Sequence, residues 1–201
     1  MQLDKGERGF SFLKEGPLDM RMDRSTSPSA CYVVNTYSER RLGAVFREYG
    51  EERDWRRIAR ALAEARSGKR IETTGQLVDI VSSVKRGRRG KLHPATQVFR
   101  ALRMLVNREL DAIRKGVGQA IRMVTSGGRI GTLAFHSLED RIVKTLFREA
   151  SRPIKKIVGT GEEVIVARLK NITKSPIVPS FLEKRKNPGA RSAKLRVAEK
   201  L

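Results

Sequence analysis

Between Ser38 and Ser83 the apolar positions recur at helical spacing. Leu42, Val45 and Phe46 form a stripe behind Ser38, and Tyr49-Gly50 closes that helix, with Gly50 near the C′ position. Trp55, Ile58, Ala59, Leu62 and Ala63 give the i, i+3, i+4, i+7 face of a second helix that ends before Gly68. Thr74–Ser83 is a shorter third, with Leu77, Ile80 and Val81 inward. Charged residues take the outer faces, the pattern of a small helical bundle. His93-Pro94 predicts the start of a long helix, because proline is tolerated in a first turn. Val98, Leu102, Leu105, Val106, Leu110, Ile113 and Val117 hold one face of it. Gly116 and Gly118 each weaken a helix by about 1 kcal/mol relative to alanine, which predicts a bend or break there.

The period changes at Gly127-Gly128, a turn signal. Arg129–Phe135 reads as a buried strand, and its apolar run stops abruptly at His136-Ser137-Leu138-Glu139-Asp140-Arg141. Ile142, Val143, Leu146 and Phe147 then resume helical spacing, with Ser137 as the predicted N-cap and Asp140 in the first turn. Pro153 and Gly159-Thr160-Gly161 mark a loop. Val164–Ile172 and Ser192–Lys200 are two strand candidates, suited to a closing antiparallel pair on an otherwise parallel sheet. Helices followed by strand, helix and strands make an α/β chain. Met1–Arg24 has no clean period and is dense in Gly, Asp and Arg. Phe10, Phe12, Leu13, Leu18 and Met20 argue that it is a structured loop, followed by a polar linker at Ser25–Ser29.

Composition adds the partner. The 201 residues include 43 Lys and Arg against 22 Asp and Glu, a net charge of +21. That excess implies a polyanion, RNA or DNA ahead of a membrane surface. No stretch approaches the roughly 18 consecutive apolar residues of a spanning helix, and MQLDKGERGF lacks the apolar core of a signal peptide. Cys31 is the single cysteine, so no intrachain disulfide forms. Five of the seven residues in Lys85–Lys91 are basic, and no acid occurs from Ile80 to Arg108. Glycines beside the charges let the backbone approach a phosphate, so Arg86, Arg88, Arg89 and Lys91 read as RNA contacts rather than a merely solvated loop. His93 lies in no Cys, His or acid cluster at metal spacing, so no metal is expected.

Chemistry is expected at the end of the Arg129–Phe135 strand, since ligands of open α/β sheets sit beyond the carboxyl ends of strands. The competing reading is ordinary helix capping with a satisfied structural His136.

Four stretches carry a resemblance: GERGFSF…GPLDMRMD near the start, YGEER at Tyr49–Arg53, HPAT with the helix ending VNRELDAI, and FHSLEDRIVK followed by NPGARSAKLRVAE. In this order and spacing they resemble the S-adenosylmethionine-dependent methyltransferases that modify the N4 amine of a cytidine in small-subunit (16S) ribosomal RNA. The resemblance runs from Gln2 to Leu201 and is least distinctive over Ser151–Thr173. It implies the C-terminal part of a Rossmann-like methyltransferase sheet with an inserted helical bundle domain. Residues 1–22 would be the loop after the fourth strand, 23–105 the insertion that recognises substrate, and 106–201 the remainder of the methyltransferase domain. Arg129–Phe135 would be the fifth strand and the closing pair the sixth and seventh.

The family's Gly-Gly-His turn, the acid ending its second strand and its Asp-Leu-Gly stretch have no counterpart here. The resemblance therefore implies a chain lacking its N-terminal cofactor-binding portion and inactive alone. S-adenosylmethionine is the implied cofactor, and Gln2 is the one contact that carries over. The implied setting is cytoplasmic, with ribosomal RNA in the small subunit as partner and neither membrane nor DNA. By position, His136, Ser137 and Asp140 would border the base or the reacting amine as catalytic residues. Asp19, Arg21 and Asp23, with Asn187 and Arg191, would form opposing walls, the last two touching RNA. The general base stays open among these groups. The rival class, a non-catalytic basic RNA-binding or ribosome-assembly protein, explains the charge and the helices but not the polar strand end.

Overall fold

The computed structural model describes residues 6–25, 28–85, 93–158 and 162–201, and only the backbone of 154–158 and 162–166. The chain divides into two compact units, Met1–Glu109 and Leu110–Leu201.

The first unit is helical. α1 (Ala30–Thr36), α2 (Glu39–Glu48), α3 (Trp55–Gly68), α4 (Thr74–Val84) and α5 (Thr96–Val106) surround a core of Leu42, Phe46, Ile58, Leu62, Leu77, Val81 and Leu102. Local chemistry sets the helix starts. Ser29 and Ser38 cap α1 and α2, and Thr73 and Gln76 form a reciprocal capping box on α4. The opening loop belongs to this core, because Leu18 and Met20 are fully buried in it. Its backbone is paired too: Leu18 N donates to Glu72 O at 2.8 Å, and Thr74 N to Gly16 O at 2.9 Å. Gly9 has φ 67°, and a Cβ there would collide with the Pro17 carbonyl. The acid of the YGEER stretch is structural. Glu52 is buried, accepts from Asp54 N at 3.0 Å and receives Lys85 Nζ at 2.7 Å. The first cation of the basic run is thus held inside the unit. Arg86, Arg88, Arg89 and Lys91 lie outside the described residues.

The expected long helix is two helices, and the break is not at its glycines. α5 stops at Val106 and α6 runs Glu109–Met123, straight through Gly116 and Gly118. Asn107 makes the break. Its amide donates to Met20 O and Arg103 O, both at 2.8 Å, and its Oδ1 accepts from Met22 N at 2.7 Å. Arg108 then takes φ 50°, and Arg103 closes the corner on Glu109 at 2.8 Å. Three fixed bonds at one residue outweigh two weak helix formers that nothing crowds.

The second unit packs α6 and α7 (Ser137–Ala150) on a three-stranded sheet of β1 (Arg129–Ala134), β4 (Leu169–Asn171) and β5 (Lys194–Lys200), in the order β1-β5-β4. β5 is antiparallel to both neighbours, so β1 and β4 run parallel, as in a crossover through α7. β2 (Ile154–Val158) and β3 (Glu162–Val166) form a separate hairpin, so the expected strand Val164–Ile172 is divided between two sheets. α8 (Phe181–Lys186) precedes a 3-10 turn at Pro188–Ser192. The pleat separates two faces. Ile130, Leu169 and Ala198 turn toward Val143 and Phe147 of α7 in the core. Leu133 and Leu195, directly paired, face the other way.

Candidate functional site

The C-terminal end of β1 is where the sheet meets α7. Phe135 leaves the strand, and His136 has extended backbone (φ −144°, ψ 168°) before the helix begins. His136, not Ser137, is the N-cap; Ser137 is the first helical residue. The expected cap is displaced by one residue because Glu139, three positions after His136, completes a capping box. Glu139 N donates to His136 Nδ1 at 3.4 Å, while Glu139 Oε2 accepts from Phe135 N at 2.8 Å and His136 N at 3.3 Å. His136 Nε2 is buried, lies 2.9 Å from Glu139 Oε1, and makes no aligned hydrogen bond among the described residues. Burial opposes ionisation of Glu139, but the His136 imidazole and the two amides outweigh it and hold the carboxyl below its usual range.

Asp140, one residue on, turns toward β5. Arg196 grips it with Nε at 2.6 Å from Oδ1 and Nη2 at 3.2 Å from Oδ2, and Lys194 Nζ lies 3.5 Å from Oδ2. Both Asp140 and Arg196 are buried. The Arg196 guanidinium, followed by Lys194, outweighs desolvation and holds the Asp140 carboxyl below its usual range. An acid so placed is a poor proton acceptor at neutral pH and a good clamp between helix and strand.

On the opposite face of the sheet the same strand end opens on a cavity of about 600 Å³. Leu133, Phe135, Ile177 and Leu195 form its apolar wall, and Glu183 and Asn187 reach its rim from the α8 segment. That size is within the range of small-ligand sites.

The whole chain, residues 1–201, matches the MraW methylase family. The protein belongs to that family. It is 48% identical over 199 residues to the ribosomal RNA small subunit methyltransferase H of Persephonella marina, a match covering 98% of this chain and 64% of the relative. It is 47% identical over 201 residues to the protein of the same name in Neorickettsia sennetsu, covering 100% of this chain and 63% of the relative. The Magnetococcus marinus protein of that name is 45% identical over 206 residues, covering 100% and 66%. The chain thus spans just under two thirds of the length of these relatives.

In this methylase-family chain the residues expected at the site fall into separate groups. His136 and Asp140 are adjacent in the first turn of α7 but engage different partners, Glu139 and Arg196. Asn187 lines the cavity beside Phe135, whereas Arg191 is exposed on the turn that follows. Asp19 and Arg21 belong to the helical unit and pair with each other at 2.6 Å, which lowers the carboxyl's pKa. Asp23 accepts from the Ser25 hydroxyl at 2.7 Å. Gln2 lies outside the described residues. Glu139 and Arg196 were not singled out in the sequence. The histidine-to-acid spacing of three was the available signal for Glu139, and nothing local marks Arg196, 56 residues from its partner.

Proposed function

We propose that this chain carries the base-recognising side of an S-adenosylmethionine-dependent methyltransferase that modifies N4 of a cytidine in 16S ribosomal RNA. The observation that carries the reading is the β1–α7–β4 crossover with antiparallel β5 between its strands, ending in a polar strand terminus, within a chain that matches a methylase family along its length. This arrangement fits the closing half of a Rossmann-like methyltransferase sheet, with the helical unit as its insertion. The net charge of +21 supports an RNA substrate.

S-adenosylmethionine needs donors for its carboxylate and an acid for its ribose hydroxyls. Among the described residues no glycine-rich turn leads from a strand into a helix. β1 enters α7 through His136, and Gly127-Gly128 precede the strand. These residues do not form a cofactor cradle.

What this side can do is hold the base. The N4 lone pair of cytosine is delocalised into the ring, so the amine must be aligned, its proton accepted and water excluded. Leu133, Phe135, Ile177 and Leu195 offer a wall that suits one face of a flat base. Asn187 offers an amide donor and acceptor at the rim for its polar edge. Asp140 holds the α7 terminus in place through Arg196.

The reading is tested with a chimera joining this chain to the part of the Persephonella marina relative outside the match. Chimera, labelled S-adenosylmethionine and small ribosomal subunits are incubated, and the RNA is digested to nucleosides for mass spectrometry. Label in N4-methylcytidine is expected. Label in any other nucleoside, or none from a folded chimera that binds the cofactor, contradicts the assignment.

A further inference from the structure

The face of the sheet that carries α7 has a second concavity, of about 270 Å³, away from the apolar cavity. Phe147 is its buried floor. Lys144 and Arg148, one helical turn apart on α7, stand on one side, and Lys174 stands on the other in the loop after β4. No acid lines it. Arg196 also reaches it, but its charge is answered by Asp140. Lys144, Arg148 and Lys174 are exposed and have no ion-pair partner among the described residues. Arg129 and Lys194 of the same unit, by contrast, reach carboxylates.

The loop that presents Lys174 is fixed. Ile172 N and Thr173 N both donate to Val197 O, at 3.0 and 3.1 Å, and Val197 N donates to Thr173 Oγ1 at 3.0 Å. Three unpaired cations held around a small acid-free hollow, with the Asn171 amide at its edge, match a tetrahedral dianion or a phosphodiester. We propose that this hollow binds a backbone phosphate of the RNA substrate, a contact independent of base sequence and separate from the strand end where the base would sit. The proposal rests on the RNA reading above.

It is tested by fluorescence anisotropy of the full chain with a labelled single-stranded RNA over a range of KCl concentrations. Neutralising three phosphate contacts in Lys144→Gln/Arg148→Gln/Lys174→Gln should lower the log-log salt slope by roughly 2, at about 0.7 per contact on a single strand. A charge-matched control, Arg47→Gln/Arg57→Gln/Arg70→Gln, removes surface cations that already face acids and should change the slope by less. An equal loss in both variants, or an unchanged slope in the first, overturns the site while leaving RNA binding intact. A wild-type chain with no salt-dependent RNA binding overturns the RNA reading itself. Displacement of the RNA by millimolar inorganic phosphate, beyond an equal ionic strength of chloride, assigns the hollow to a small phosphate ligand and overturns the backbone contact. If the triple variant fails to fold, Lys174→Gln alone, on a loop, should lower the slope by about 0.7.

Discussion

Asp140 stands where a strand-end base would be looked for, yet its carboxylate is committed to Arg196 and Lys194. Asp140→Asn leaves Arg196 buried without its counter-charge and should cost roughly 3 kcal/mol, measured by denaturant unfolding. The pH dependence follows from the lowered folded pKa. The stabilisation is present in full above the unfolded-chain value, about 3.9, and is lost as pH falls through the lower folded value. The gap between wild type and Asp140→Asn should therefore be flat near neutrality and close below about pH 4. A gap unchanged at pH 2 would contradict the ion pair. His136 separates capping from chemistry differently. Asparagine is a good N-cap, so His136→Asn should keep the melting temperature nearly constant. In the chimera, a drop in turnover without a drop in melting temperature places the imidazole at the reaction. Unchanged turnover makes His136 a cap only.

At the scale of elements, strong periodicity was legible and fixed points were not. α2, α3, α4, β1 and β5 lie within a residue or two of their expected bounds, because each has a clear period and a cap or turn at its ends. α1 is seven residues long and α8 six, too short to show a period, and their starts rest on Ser29 and Ser180. The break at Asn107 depends on the Met20 carbonyl, 87 residues away, and could not be read locally. The same absence of contacts that lets α6 continue makes a prediction. A Cβ at Gly116 would meet nothing within 4 Å, and at Gly118 only the Arg122 side-chain end at 3.9 Å. Gly116→Ala and Gly118→Ala should each stabilise the chain by about 0.5–1 kcal/mol, read as a raised melting temperature. Destabilisation by either would restore a functional bend. The strand end itself was legible as an abrupt change from apolar to polar residues. Its wiring was not, since Arg196 reaches it only through the fold.

At the scale of the whole molecule, a helical unit and a sheet unit share a chain that spans just under two thirds of its relatives. We propose that the base side of the reaction is here, whereas the cofactor's grip is not among the described residues. Calorimetric titration with S-adenosylmethionine tests this most directly, on the purified chain and on the chimera with the Persephonella marina portion. No saturable micromolar binding by the chain alone and micromolar binding by the chimera are expected. Micromolar binding by the chain alone, with the chimera no tighter, would contradict it.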